Sequence, residues 1–320
     1  MTKTKLFGAI LLGSMLSVST SYATEGIAPA GPIGGTDLNQ ALLPPVPGLY
    51  YGVVGAPLKL GDYRLDGGGK AKGDGHLGIG AVAGLIVYDH QLFGGQLASS
   101  IGVGYQRVCY QLGGTGKNCS EGVMDTYTDL LMWSKFMPSE NFSKQPQGGR
   151  VIPYGTAVLL SMGATWPTGK YDKHKPINVG SNFYTFSPSV ALTHTSPSIF
   201  GAAGHATQVS ARLFYNHYTE NQDSDYDSAD TVSVDFSASE MFGNWTLGIA
   251  GTGWSQIADD KVHGDSNGIR GDAFSIGPIV QYDFSLGDRP AFIKLKYLKM
   301  TSGSATPQVD GPVLSFVTKF

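Results

Sequence analysis

The sequence has little charge. Only 15% of its 320 residues are charged, whereas it contains 45 Gly, 16 Tyr and 15 Phe residues. Low charge with many aromatic residues disfavours an intrinsically disordered chain. The formal net charge of −3 gives no general basic surface, so we expect no nucleic-acid partner.

Long apolar runs and helical periodicity are also scarce. After the first twenty residues no run of about 18 apolar residues occurs, which excludes a transmembrane helix there. No Gly-rich phosphate loop lies between a strand and a helix. Cysteine occurs only twice, with no His beside it to complete a zinc site. We therefore expect no cofactor and no metal.

The chain begins "MTKTKLFGAILLGSMLSVSTSYA", with two lysines, a short apolar stretch and then small residues. This order predicts a secretory signal peptide over residues 1–23, cleaved after Ala23. An uncleaved anchor helix is disfavoured because Gly13 and Ser14 interrupt the apolar stretch. Cleavage removes both lysines and no acid, which moves the formal charge from −3 to −5.

Cys109 and Cys119 flank a Gly-rich turn in "CYQLGGTGKNC". In an exported protein, two cysteines at this spacing are expected to form a disulfide rather than a metal or redox site. Closing so short a loop contributes roughly 3 kcal/mol at most in the chain-entropy model.

Residues 24–47 are rich in Gly, Pro and Ala and follow neither periodicity. We predict an irregular leader there, with the option that it tucks into the structure that follows. From residue 48 to 320 the pattern is different. In "LGIGAVAGLIVY" (77–88) and "TVSVDFSAS" (231–239), side-chain character alternates with a period of two, which indicates β-strands.

Counting such stretches predicts about twelve strands. They lie near residues 49–54, 77–88, 96–108, 123–136, 152–165, 184–194, 206–218, 230–240, 244–257, 270–284, 290–300 and 312–320. Many reach the 9–11 residues, roughly, that a tilted strand needs to cross a bilayer. Most odd-numbered connections are long and polar, and some even-numbered ones are tight turns, which is typical of transmembrane barrels. The expected fold is an all-β, antiparallel, up-and-down transmembrane barrel.

The C-terminal "GPVLSFVTKF" alternates up to the last residue, Phe320. A final strand that must pair with the first to close a barrel cannot fray, which explains this pattern. A soluble sandwich closed by its last strand is the alternative. The terminal Phe also resembles the signal by which outer-membrane proteins are recognised, so we expect Phe320 to engage the barrel-assembly machinery.

One stretch, residues 164–194, does not alternate. It contains Pro-Thr-Gly, then Tyr-Asp, then Asn-x-Gly-x-Asn, an aromatic run and Pro. The matching residues are Pro167, Thr168, Gly169, Tyr171, Asp172, Asn178, Gly180, Asn182, Phe183, Tyr184, Phe186 and Pro188. This motif resembles the core of a family of bacterial outer-membrane proteins named for the MetA pathway of phenol degradation, to which SphA-like transporters belong. Residues 219–260 and 275–284 are similar to later segments of that family.

The resemblance implies a transporter-type protein of the Gram-negative outer membrane, surrounded by lipid and lipopolysaccharide. The departure is at "GTGW" (251–254), where the family pattern is richer in tyrosine. The motif's Thr, Gly and Asn residues are turn formers, so we expect it to shape an extracellular loop rather than perform chemistry. Asn178 and Asn182 are expected to pin that loop.

Alternation also predicts which polar side chains face the lumen. The candidates for lining a solute channel are Tyr127, Asp129, Trp133, Lys135, Arg212, Asn216, Asp235, Trp254, Gln256, Lys294 and Lys296. They form either a solvated channel wall or a paired network that closes the lumen. Both alternatives stay open from the sequence.

Other constellations do not support chemistry. "DSDYDS" (223–228) has the early Asp spacing of an EF-hand, but Ser228 and Val234 stand where Gly and Glu are needed. His194 and His217 fall on the predicted lipid-facing side and have no readable triad partners. We expect no enzyme. The favoured function is passive uptake of a small hydrophobic or aromatic solute, and the alternative is a structural or adhesion barrel with a closed lumen.

Overall fold

The structure is a computed structural model that describes residues 31–143, 151–287 and 289–320. The predicted signal peptide lies outside the described residues. Twelve long strands follow one another along the chain: β1 (Gly48–Arg64), β2 (Gly73–Leu92), β3 (Gly95–Leu112), β4 (Thr126–Pro138), β5 (Gly155–Trp166), β6 (Thr185–Pro197), β7 (Ala206–Tyr218), β8 (Thr231–Phe242), β9 (Trp245–Gln256), β10 (Asp272–Leu286), β11 (Arg289–Ser304) and β12 (Thr306–Lys319).

Each strand pairs antiparallel with the next along the chain, and β12 pairs with β1. In that closing pair Tyr50 lies opposite Lys319 and Val53 opposite Phe316. The Phe320 amide donates to the Leu49 carbonyl oxygen at 2.8 Å, so the ladder continues to the chain's last residue. The prediction of a closed twelve-stranded antiparallel barrel is confirmed.

The outer surface of the barrel is apolar. On β7 the side chains of Val209, Leu213 and Tyr215 point outward and are exposed, while Arg212 and Asn216 point inward and are buried. The period-two pattern thus places apolar groups where a bilayer would contact the barrel and polar groups in the lumen.

The two ends of the barrel differ in their connections. At one end, which we call the short-turn rim, two-residue turns at 93–94 and 243–244 lie on the same rim as the start of β1 and the end of β12. At the other, the long-loop rim, the connections 167–184, 219–230 and 257–271 are long. Short strands from two of these loops, Tyr226–Asp227, Lys261–Val262 and Asp265–Ser266, form a small separate sheet.

A further short strand, Asn118–Val123, pairs with the part of β3 near the long-loop rim. It places Cys119 directly opposite Cys109, and the two sulfurs form a disulfide. Helical structure among the described residues is limited to the single turn Gly201–Ala203. None of these residues forms a helix long and apolar enough to cross a membrane.

Candidate functional site in the barrel lumen

The part of the leader that the structure describes, residues 31–47, lies inside the barrel; we call it the inner segment. Ala41 is fully buried, its amide donates to Thr193 Oγ1 at 3.0 Å, and its carbonyl oxygen accepts from Ser134 Oγ at 2.5 Å. The Gln40 amide donates to Ser210 Oγ at 3.0 Å. Three strands, β4, β6 and β7, thus bind this one turn of chain.

Apolar contacts hold the same turn near the short-turn rim. Ala41 belongs to a buried cluster with Tyr50, Val87, Ala98 and others on the barrel wall, against which Leu42 and Leu43 of the inner segment pack. Leu38 forms a second cluster with Ala250 and Ile279. The inner segment therefore fills the lumen toward the short-turn rim with packed side chains as well as hydrogen bonds.

Asp37 of the inner segment carries the main electrostatic contact. Its Oδ1 forms an ion pair with Lys294 Nζ, and its Oδ2 forms one with Lys296 Nζ at 3.0 Å. Lys296 Nζ also donates to the Gly34 carbonyl oxygen at 2.6 Å. Asp37 and Lys296 are almost completely buried, so removal of Asp37 would leave the buried charge of Lys296 without a carboxylate partner.

Asp235 of β8 also binds the inner segment, and here the charged group belongs to the barrel wall and is negative. Its carboxylate accepts hydrogen bonds from the amide of Gly34 at 2.8 Å, from the amide of Thr36 at 2.9 Å and from Thr36 Oγ1 at 2.8 Å. Asp235 is fully buried. Three of the side chains predicted to line a channel, Asp235, Lys294 and Lys296, are thus occupied by the chain's own backbone and by Asp37.

A second charged cluster lies on the barrel wall and does not use the inner segment. Arg212 Nη2 of β7 donates to Asp129 Oδ1 of β4 at 2.7 Å, and both side chains are buried. Tyr127 Oη, at 3.1 Å, donates to the same carboxylate oxygen, and Ser100 Oγ donates to Asp129 Oδ2 at 3.2 Å. The Arg212 guanidinium also lies 4.6 Å from the centre of the Phe214 ring.

Asn216 is fully buried, and both its side-chain oxygen and its side-chain nitrogen form hydrogen bonds. It accepts from Ser187 Oγ at 2.7 Å and donates to Thr231 Oγ1 and Ser233 Oγ at 3.1 and 3.2 Å. These contacts join β6, β7 and β8 on the lumen side. Asn216 therefore ties strands together.

Between the inner segment and the long-loop rim lies a cavity of about 620 Å³. Gly31, Pro32 and Ile33 of the inner segment line it from one side, and residues of the loop 167–184 line it from the other. Most of the remaining wall is apolar or aromatic: Leu60, Leu77, Ala81, Val108, Met124, Phe214, Tyr218, Trp254, Pro307 and Val309. The polar part contains Tyr127, Asp129 and Arg212.

The loop that carries the family-like motif closes over this cavity, with Ile177, Val179 and Phe183 among the lining residues. Its ends are joined through Asp125, which accepts from the amides of Gly169 and Ser181 at 2.8 and 2.7 Å. Gly169 and Gly180 approach so closely that a Cβ on Gly169 would lie 2.8 Å from the Gly180 Cα. This backbone contact requires glycine at both positions.

The other motif residues make local contacts. Asn178 Oδ1 accepts from the Asp172 amide at 3.0 Å, and its Nδ2 donates to the Asp172 carbonyl oxygen at 3.1 Å. Asn182 has a φ of +63°, and its Nδ2 donates to Asn221 Oδ1 at 2.8 Å. Tyr171 Oη accepts from Asn221 Nδ2 at 2.9 Å, and Thr168 Oγ1 accepts from the Thr126 amide at 3.0 Å. Pro167 lies at the start of the loop, directly after β5.

Two of the predicted lumen residues face the other way. On β4 the register shifts between Asp129 and Leu131, so Leu130 and Leu131 are both exposed and the facing of every later residue is reversed. Trp133 Nε1 donates to the Leu92 carbonyl oxygen at 2.7 Å on the outer side of the short-turn rim. Lys135 lies there too, with Nζ 3.3 Å from the Phe93 carbonyl oxygen. The prediction that Trp133 and Lys135 face the lumen is wrong because a single bulge shifted the phase.

The long loops contain aspartate side chains whose carboxylates accept hydrogen bonds within the loops. Asp260 accepts from Tyr226 Oη at 2.6 Å, from the Ala229 amide at 2.8 Å and from Gln256 Nε2 at 2.5 Å. Burial raises the pKa of the Asp260 carboxyl above its usual value. Asp223 and Asp225 contact Asn182 and His263, and no group of metal-binding side chains is found among the described residues.

The two histidines on the outer face make simple pair contacts. His194 Nδ1 lies 2.9 Å from Thr156 Oγ1, and His217 Nδ1 lies 2.9 Å from Asp230 Oδ1. Both hydrogen bonds are exposed. They lie outside the lumen and contact none of the cavity residues described above.

The fold and lumen define a twelve-stranded transmembrane barrel of the outer-membrane type. Among solved structures, the chain is similar to the COG4313 outer membrane channel from Pseudomonas putida F1, with a TM-score of 0.69 at 13% identity, covering 89% of this chain and 100% of that one. The transport unit of the autotransporter AIDA-I from Escherichia coli gives a TM-score of 0.49 at 12% identity, covering 89% and 92%. The fold comparison rests on the first of these.

The profile of one protein family matches residues 61–312, which is most of the chain. The chain belongs to this family, described as "Putative MetA-pathway of phenol degradation". The resemblance inferred from residues 164–194 is confirmed. A comparison with curated proteins gave no match.

Proposed function

We propose that this protein is a channel of the outer membrane that passively admits a small hydrophobic or aromatic solute after export through a cleaved signal peptide. The observation that carries the proposal is the cavity of about 620 Å³ above the inner segment. Its volume falls within the range of roughly 300–1,000 Å³ that is usual for small-molecule sites.

The chemistry of the wall matches such a solute. Apolar and aromatic side chains, including Met124, Phe214 and Trp254, would contact a ring, while Tyr127 and the Asp129–Arg212 pair present polar atoms at one place. An apolar pocket with a few fixed polar groups binds a molecule by its ring and orients it by its polar tip. The family's name points to the same solute class.

Passage through the lumen requires the inner segment to move, because its residues 37–47 fill the part toward the short-turn rim. The outer face would contact lipid and lipopolysaccharide, since its exposed side chains are apolar along the strands. Phe320, 76% exposed at the short-turn rim, is available to the barrel-assembly machinery.

A structural or adhesion barrel with a closed lumen is the second candidate. It is favoured by the buried ion pairs between Asp37 and the two lysines of β11, which hold the inner segment in place. In that case the long loops would make the functional contacts and the cavity would bind nothing.

Two adjacent positions on β2 separate the candidates. Ala81 lines the cavity, whereas Val82 faces outward and is 53% exposed. Ala81→Trp should fill part of the cavity, and Val82→Trp adds the same side chain on the opposite face. The measurement is the rate at which cells of a Gram-negative host lacking its own general porins accumulate a radiolabelled phenol.

We expect cells with the wild-type protein to accumulate the phenol faster than cells without it. Ala81→Trp should remove at least about 90% of that gain, a tenfold effect that corresponds to roughly 1.4 kcal/mol. Val82→Trp should leave the gain unchanged. Accumulation equal with and without the wild-type barrel would support the closed-lumen candidate instead. Folding of each variant is checked by its resistance to unfolding in detergent at room temperature.

A further inference from the structure

The cavity wall has an unequal set of charged residues. Of the described residues that line it, Asp125, Asp129 and Asp260 are acidic, whereas Arg212 alone is basic. A solute anion entering the cavity would therefore have one candidate partner for its charge. Whether that partner is available decides which solutes the cavity can hold.

Arg212 is already paired. Its Nη2 lies 2.7 Å from Asp129 Oδ1, its Nε donates to Ser189 Oγ at 3.0 Å, and its guanidinium lies over the Phe214 ring. Only 6% of the Arg212 side chain and 7% of the Asp129 side chain are exposed. The two charges compensate each other within the wall.

The other two carboxylates of the wall, those of Asp125 and Asp260, are bound by neutral donors. Asp125 accepts from the Gly169 and Ser181 amides and from Ser181 Oγ at 2.6 Å, so its carboxylate holds the two ends of the loop together. Asp260 accepts from Tyr226, Ala229 and Gln256. With Asp129 and Arg212 counted as a neutral pair, the wall has no uncompensated cation, and a carboxylate placed there would lose its hydration without gaining an ion pair.

We infer that the cavity selects uncharged aromatic alcohols and phenols and rejects the corresponding aromatic acids, and that Asp129 is the residue that sets this selectivity. The inference rests on the proposed function. Asp129 acts by occupying Arg212, since a free guanidinium in the same place would form a charge-assisted hydrogen bond with a carboxylate. A hydroxyl group, in contrast, needs no countercharge and can bond to Tyr127 Oη or to the carboxylate of Asp129.

The test compares two solutes of one shape, 4-hydroxybenzyl alcohol and 4-hydroxybenzoate, titrated into the purified full-length protein by isothermal calorimetry near neutral pH. The wild type should bind the alcohol at least about tenfold more tightly than the acid, because the buried carboxylate lacks a partner. Asp129→Asn keeps the side-chain shape and removes the charge. It should shift the affinity ratio toward the acid by at least about tenfold.

The double variant Asp129→Asn with Arg212→Gln removes the freed cation and should restore the rejection of the acid, which a merely structural effect of Asp129→Asn would not do. Equal wild-type affinities for the two solutes, or an unchanged ratio in Asp129→Asn, would overturn the inference and leave the proposed function standing. Binding of neither solute by the wild type would overturn both. If a variant does not fold, the wild-type affinity ratio still decides whether the cavity rejects the acid.

Discussion

The two charged clusters in the lumen are built differently. Lys294 and Lys296 of β11 both form ion pairs with one carboxylate, that of Asp37 in the inner segment. Arg212 of β7 is neutralised by Asp129, a residue of the barrel wall itself. The first arrangement needs chain inside the lumen and fills it, whereas the second is complete without any occupant and borders the cavity.

The lumen of this barrel therefore has two parts, one filled by the inner segment and one that contains the cavity. Polar lumen walls must be solvated, paired with each other or paired with something inserted. Toward the short-turn rim this chain uses the third solution, and beside the cavity it uses the second. Of the two alternatives that the sequence left open, a solvated channel wall and a paired network, these charged side chains follow the second, because each is paired with another side chain of the barrel or of the inner segment.

The largest effect is expected from Asp37→Ala. It leaves Lys294 and Lys296 without their carboxylate, and breaking a buried pair from one side costs about 3–5 kcal/mol unless the inner segment is released. The expected result is release, seen as larger and less steady ion conductance in planar bilayers. The control replaces all three residues together, Asp37→Leu with Lys294→Met and Lys296→Met, and should conduct like the wild type because no charge is stranded. Conductance unchanged in Asp37→Ala would show that the ion pairs do not hold the segment.

A smaller effect is expected at the other end of the cavity. Asn182 has a left-handed φ and donates to Asn221 and Asp223. Asn182→Ala should destabilise the loop 167–184 by about 1–2 kcal/mol, through backbone strain and lost hydrogen bonds. Protease cleavage within the loop should quicken accordingly, by roughly five- to thirtyfold.

The matched control for that prediction is Asn182→Gly, which accepts the positive φ but also loses the side-chain bonds. It should fall between the wild type and Asn182→Ala. Cleavage as slow in Asn182→Ala as in the wild type would mean that the other contacts of the loop, such as the Gly169–Gly180 contact and those of Asp125, hold it without Asn182.

The strand content could be predicted because it depends on local alternation. Leu213 and Arg212 show their facing directly in the sequence, since a regular strand fixes sides with a period of two. The prediction for Trp133 is wrong because a bulge beside Asp129 adds one residue and no composition signal marks it. The phase of a strand beyond a bulge depends on its partner strands and not on its own residues.

The position of the leader could not be predicted for a different reason. Residues 31–47 have no periodicity, because their hydrogen bonds go to side chains such as Ser210 and Thr193 that are distant in sequence. The pairing of Asp37 with Lys294 and Lys296 spans more than 250 residues. Only the closed barrel brings these groups together, so the lysines could be placed in the lumen but their partner could not.

The most direct measurement of the filled and open parts of the lumen uses single cysteines in the otherwise thiol-free protein, since Cys109 and Cys119 are joined. Ser210→Cys lies beneath the inner segment and Ala81→Cys lines the cavity. We predict that a small, water-soluble thiol reagent labels the cysteine at position 81 at least about 100-fold faster than the cysteine at position 210. This ratio corresponds to protection of position 210 by roughly 2.7 kcal/mol. Equal, rapid labelling of both positions would contradict a lumen plugged by the chain's own N-terminal residues.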